Sequence, residues 1–139
     1  MAKQGRGQRP PVPAGKVPEP PEPASTDNET PKFCLHYLAR DFDVNALSTE
    51  QQATLAKTLQ KLSGFRWKEL VLARKHSHSL EHMPVPQLTQ PMPQRFQDQD
   101  KVTVFRYHGN LPMAGVRVRD VFHILWIESS FGKLYDHGS

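Results

Sequence analysis

The chain has a single cysteine, Cys34, so no disulfide can form within it. That suits a reducing compartment. Cys34 sits in an apolar run and reads as a small buried hydrophobe rather than a nucleophile. Long apolar runs are missing too. The longest, Val121 to Ile127, is interrupted by His123 and falls far short of the roughly 20 residues that span a bilayer. The amino terminus lacks the apolar core of a signal peptide. A cytoplasmic protein with no membrane partner is therefore expected. Glycine-rich phosphate loops, zinc knuckles and nucleophile elbows are absent, which removes the commonest nucleotide-binding and hydrolase signatures.

The first 31 residues hold 8 of the 13 prolines and no aromatic residue. Such a segment buries too little apolar surface to offset its chain entropy, so residues 1–31 are expected to form a disordered proline-rich tail. Its four basic and four acidic residues cancel. The whole excess of +4 then sits in residues 32–139, a mild bias that suits a nucleic-acid partner without establishing one. That remainder is large enough for one modest core.

Its pattern predicts a strand over Phe33–Leu38 and a helix opening at Ser48, with Gln51 completing a capping box. Leu55, Leu59 and Leu62 share a stripe, and Gly64 ends the helix. A second helix is expected from Arg66 to Ala73, with Trp67, Leu70 and Val71 on one face, and the pair should form a hairpin on a sheet. Arg74 to Glu81 is a basic, histidine-rich connector. Met83 to Gln94, with four prolines, is an extended loop or edge segment. Strands are expected next at Val102–His108, Met113–Val118, Val121–Glu128 and Lys133–His137, with turns at Gly109-Asn110, Arg119-Asp120 and Ser129–Gly132. Strict alternation puts Arg106 and His108 on one face of their strand. It puts Phe122, Ile124 and Trp126 opposite His123, Leu125 and Ile127. Strand, two helices, then an antiparallel meander indicates an α+β domain with the helices on one sheet face.

The chemistry is concentrated in the last third, where the polar residues are of a narrow kind: Arg106, His108, Arg117, Arg119, His123, Tyr135 and His137. Cleavage of RNA by its own 2′-hydroxyl needs a base, an acid and cations near the phosphate. His123, His137 and Tyr135 are proton-handling types, and the arginines carry forked donors for phosphate oxygens. The same residues also fit the solvent-facing half of a sheet. His123, inside an apolar strand, also reads as a core histidine. In a second cluster, Lys75, His76, His78, Glu81 and His82, the spacing His76-x-His78 with His82 could hold a transition metal, but no cysteine or aspartate is nearby and no metal is expected. The cluster reads as a polar loop able to bring basic or acid/base groups to the same site.

The stretch FRYHGNLPMAGVRVRDVFHILWIESSFGKLYDHG resembles the C-terminal sheet of the RelE/ParE toxin superfamily. That family has an arginine-bearing strand, a short turn, a strongly apolar strand and a final strand ending in a His/Tyr pair. Arg117, the Arg119-Asp120 turn, Val121–Glu128 and Tyr135/His137 occupy matching places, and residues 32–139 are covered. The resemblance implies a RelE-like domain: an N-terminal strand and helical hairpin packed on a C-terminal antiparallel sheet. It implies a toxin of a toxin-antitoxin system that cleaves messenger RNA without a cofactor, often on the ribosome, and is neutralised by a cognate antitoxin. Catalysis would fall to Tyr135 and His137 with Arg106, Arg117 and His123. Lys75, His76, Arg119 and Lys133 would bind substrate. A gyrase-poisoning toxin of the same fold and a non-catalytic RNA- or protein-binding module are the alternatives.

Overall fold

Apolar residues on both faces of the strongest strands require a sheet covered on both sides, and this dictates the architecture. The computed structural model describes residues 24–73 and 80–137. Lys75, His76 and His78 lie outside them. In chain order the elements are β1 (Lys32–Cys34), α1 (Thr49–Leu62), α2 (Trp67–Ala73), β2 (Glu81–Pro84), β3 (Lys101–His108), β4 (Leu111–Val118) and β5 (Val121–Ile127). They make an α+β fold around one five-stranded mixed sheet of order β1-β5-β4-β3-β2. β2 to β5 form an antiparallel meander, and β1 runs parallel to β5 at the opposite edge.

α1 begins at the expected capping box: Ser48 Oγ accepts from Gln51 N–H, and Gln51 Oε1 accepts from Ser48 N–H. Leu55 and Leu62 are buried with Leu59 beside them, against Phe105, Tyr107, Phe122 and Ile124. Thr58 fastens the helix to β3 by donating to the Tyr107 carbonyl at 3.1 Å. In α2 only Trp67 and Leu70 are buried. Val71, expected on the same face, is exposed. Trp67 packs on Phe105 and Phe122 and donates its indole N–H to Asp120 O.

The other sheet face is covered as well, by loops. Phe42, Met92, Phe96, Leu134 and Tyr135 pack on Val102, Val104, Ala114, Val116, Leu125 and Trp126. The proline-rich stretch after β2 supplies much of this cover, so the sheet has no solvent-facing half for the Arg/His/Tyr set to occupy.

Two register steps change the expected alternation. β3 and β4 shift between Arg106 and His108, and His108 turns to the helix side, where Nδ1 meets Thr54 Oγ1 at 3.1 Å. On β5, Ala114 pairs with Trp126 but Gly115 pairs with Ile124, leaving Leu125 as an extra residue. Leu125 and Trp126 therefore both face the loop side, and Ile127 moves to the helix side. Strict alternation had Trp126 and Ile127 the other way round. Gly115 permits the step: a Cβ there would sit 1.9 Å from the His123 carbonyl oxygen.

The expected last strand, Lys133–His137, is not a strand. β5 is already flanked by β4 and β1, and beyond β1 its edge is bonded by Ala39 N–H to Leu125 O and by Ile127 N–H to Phe42 O. Neither side of β5 is open to a further hairpin. The segment instead docks on the proline-rich loop, with Thr89 N–H donating to Leu134 O at 2.7 Å and Thr89 Oγ1 to Lys133 O at 2.8 Å.

Residues 24–31, expected within the tail, are held to the folded part. Trp67 N–H donates to Glu29 O, Lys68 N–H to Asp27 O, and Arg119 to Ala24 O.

Gly115→Ala should destabilise the fold by about 3 kcal/mol or more, the upper range for overpacking, because the obstacle is backbone. Urea unfolding measures this; an unchanged midpoint would mean that the β5 step needs no glycine.

Candidate active site at the carboxyl end of β5

The step in β5 aims Glu128 into the loop-covered face, where it is fully buried. A buried carboxylate must be satisfied, and here both oxygens are. Oε2 accepts from Leu134 N–H at 2.6 Å, and Oε1 contacts His137 Nε2 at 2.5 Å. The Glu128 backbone is held too, its N–H donating to Pro112 O and its C=O accepting from the Tyr107 hydroxyl at 2.8 Å. With Nε2 directed at the carboxylate, Nδ1 is the imidazole nitrogen left for proton transfer.

Tyr135 stacks on the His137 ring, centroids 4.2 Å apart and planes 20° from parallel, and Phe131 meets the same ring edge-to-face at 5.0 Å. Arg106 lies nearby, its guanidinium 3.0 Å from Glu81 Oε2. Tyr135 feels this setting: burial, then the Glu128 and Glu81 charges, push its phenol up to about 12, against a smaller opposing effect of Arg106. At neutral pH Tyr135 is a neutral O–H group. It can donate a hydrogen bond or a proton but cannot serve as a resting base.

Of the residues singled out in the sequence, Arg106, Tyr135, His137 and Glu81 meet at this end. Arg117 does not. It lies five residues along β4 from Pro112, about 17 Å by strand rise, and on the helix face. There its guanidinium covers the Trp67 ring at 4.3 Å and binds Asp27 Oδ1 at 2.9 Å and Thr26 Oγ1 at 3.1 Å. Arg119 occupies the neighbouring turn at φ +56° and bonds Ala24 O. Both arginines tie residues 24–27 to the sheet. Lys133 is also occupied: its ammonium donates to Asp41 O at 2.7 Å and lies over the Phe42 ring.

His123 shares the loop-covered face but sits four ladder steps from Glu128, the distance from Val116 to Pro112 on β4, about 14 Å away. It is enclosed by Tyr37 and Phe96, with Nδ1 buried and unpartnered. Burial, with a lesser push from Arg95, lowers its pKa, so it behaves as the core histidine that its apolar strand allowed. His82 lies on β2 near Thr103, 3.5 Å from its hydroxyl.

Glu128 and Phe131 were missed in the sequence. The signal for Glu128 was an acidic residue closing the apolar run VFHILWIE, which reads equally as a strand end. Phe131 was hidden within a turn. Among the described residues, no group of three or more His, Cys, Asp or Glu is placed to hold a metal ion, and no helix is long and apolar enough to cross a membrane.

Comparison with known proteins adds no relative: no protein-family model matches the chain, and neither curated proteins nor solved structures give a match.

Two phenols bear on alkaline stability. Tyr107 is also pushed up to about 12, by burial and then by Glu128. Each pKa is raised on folding, so its stabilisation is complete below the unfolded value near 10 and is lost as pH rises through about 12. In that window each phenol should contribute a slope of about −1.4 kcal/mol per pH unit. Urea unfolding from pH 8 to 12 should show the fall, and Tyr135→Phe should remove about half of the tyrosine part. An identical slope in the variant would show that Tyr135 is not shifted.

Proposed function

We propose that this chain is a toxin-like endoribonuclease that cleaves messenger RNA by acid/base chemistry of its own side chains. The observation that carries the reading is the buried Glu128 carboxylate orienting His137, with Tyr135 stacked on the imidazole and Arg106 alongside. In the proposed reaction His137 Nδ1 takes the proton of a ribose 2′-hydroxyl. The freed oxygen attacks the adjacent phosphorus and the bond to the 5′-oxygen breaks. The products are a 2′,3′-cyclic phosphate and a 5′-hydroxyl. Tyr135, still protonated at neutral pH, donates the proton that the leaving oxygen needs, and Arg106 meets the charge that builds on the phosphate. Glu128 keeps the ring in the productive tautomer, as a carboxylate behind a catalytic histidine does elsewhere.

The resemblance of residues 32–139 to RelE/ParE toxins agrees with this reading and extends it to a ribosome-associated substrate and a neutralising antitoxin. Arg117, Arg119 and Lys133 are left out of the catalytic set, since each is engaged elsewhere. One observation favours a second reading, a non-catalytic RNA- or protein-binding module. Glu128 also holds Leu134 N–H, so the Glu128–His137 contact serves as a latch for the carboxyl-terminal segment whether or not chemistry takes place there.

Controlled expression with primer-extension mapping of messenger RNA separates the two. Wild type should arrest growth and produce new cuts. His137→Ala, folded by circular dichroism, should lose about a hundred- to ten-thousandfold in cleavage rate, and Tyr135→Phe should lose less. New cuts at the wild-type rate from folded His137→Ala would remove His137 from the mechanism. No cuts from wild type would leave the binding module.

A further inference from the structure

We infer that Phe131 is a stacking platform for an unpaired nucleobase, holding single-stranded RNA so that the adjoining ribose-phosphate reaches His137. This rests on reading the site as one that acts on RNA.

Phe131 occupies the turn after β5, where Lys133 N–H donates to Ser130 O at 3.4 Å and Gly132 takes φ +85°. A positive φ at the third position is the signature of a type II turn, whose second position accepts most residues. Folding therefore does not call for phenylalanine there. The side chain is 59 % exposed, so it gains little from burial. Among the described residues, the other exposed large apolar side chains lie elsewhere: Leu35 after β1, Phe65, Val71 and Leu72 around α2, and Val118 at the far end of β4. Phe131 alone of these borders the acid/base pair.

The local chemistry names the occupant. The two aromatic neighbours of the His137 ring are Tyr135, buried and stacked, and Phe131, open to solvent. An open aromatic ring in contact with His137 offers a π-face on which a base can stack next to the proposed acid/base pair, the sequence-tolerant contact that single-stranded nucleic acid uses. Bases of a duplex have both faces covered by neighbouring bases, so the platform selects unpaired RNA. A lone phenyl is too small for a protein interface, which takes about 800 Å² from each partner. Phe131 is a positioning residue: it sets where the backbone lies and moves no proton.

The test is binding of a fluorescent single-stranded RNA made uncleavable by 2′-O-methyl groups, read by anisotropy with the full chain. Phe131→Ala should weaken binding about five- to a hundredfold, the range for loss of one stacked base. Phe131→Trp should restore it, and a duplex of the same sequence should not distinguish the three proteins. Equal binding by Phe131→Ala, no binding by wild type, or the same loss on duplex would each overturn the platform. Cleavage of the unmodified RNA is scored in parallel. Phe131-dependent binding without cleavage would keep the platform and remove the ribonuclease reading, whereas cleavage with Phe131-independent binding would do the reverse.

Discussion

The extra residue in β5 is the constraint on which the rest of this molecule depends. Without the step at Leu125, alternation would carry Phe122, Ile124, Trp126 and Glu128 to the helix side. The Glu128 carboxylate would then enter a core of Leu55, Phe105, Tyr107 and Met113, where an unpaired buried charge is strongly destabilising. The step turns Trp126 and Glu128 to the loop side instead. It needs a neighbour without a side chain, and Gly115 supplies one. It also interrupts the ladder, and the Ala39 and Phe42 backbones bond the groups left over on the outer edge. Three parts of the chain distant in sequence are thus committed to one local irregularity.

Once Glu128 lies on the loop side, its charge organises the carboxyl-terminal segment. The chain after Ser129 cannot return as a strand, because both edges of β5 are taken. It stays close because Glu128 captures Leu134 N–H and His137. Thr89 and Lys133 add bonds from the proline-rich loop and to the Asp41 turn. The same carboxylate therefore orders this segment and aims the imidazole. Under the proposed reaction stability and chemistry would be coupled at this point, and removing Glu128 would disturb both. For that reason Tyr135, which holds neither Glu128 oxygen, would separate the proposed chemistry from folding more cleanly than Glu128 or His137.

Much of this was legible in the sequence. The capping box at Ser48 and Gln51 and the leucine stripe of α1 are local signals, and they hold. The strands at β3, β4 and β5 were visible in their apolar content. The faces of β5 were not visible beyond Ile124, because a bulge depends on the partner strand and leaves no mark in alternation. Position 115 shows the device only in hindsight: an isolated glycine within a strand pattern is a bulge signal. The arginines show the sharper limit. Residue type gave Arg106, Arg117 and Arg119 equal claims on a phosphate. Only the fold reveals that Arg117 covers Trp67 and binds Asp27, and that Arg119 bonds Ala24. The proline-rich loop was read for what it cannot do, which is pair within a sheet. Its apolar members Leu88 and Met92, with Phe96 just beyond it, were the sign that it covers one.

The ion pair of Arg106 with Glu81 shapes how such a site would use its cation. A substrate phosphate can engage the guanidinium only in competition with a carboxylate 3.0 Å from it. A phosphodiester in the ground state and a carboxylate each carry one negative charge, so the exchange gains little when substrate first binds. In the proposed reaction a second negative charge would build on the phosphorus oxygens as the 2′-oxygen attacks, and the phosphate would then outcompete Glu81. An interaction stronger in the transition state than in the ground state accelerates the chemical step rather than merely tightening binding. In the proposed reaction Glu81 would act as the partner that withholds Arg106 until charge develops. Ground-state affinity must then come from contacts other than this arginine, which is the place an exposed ring such as Phe131 fills.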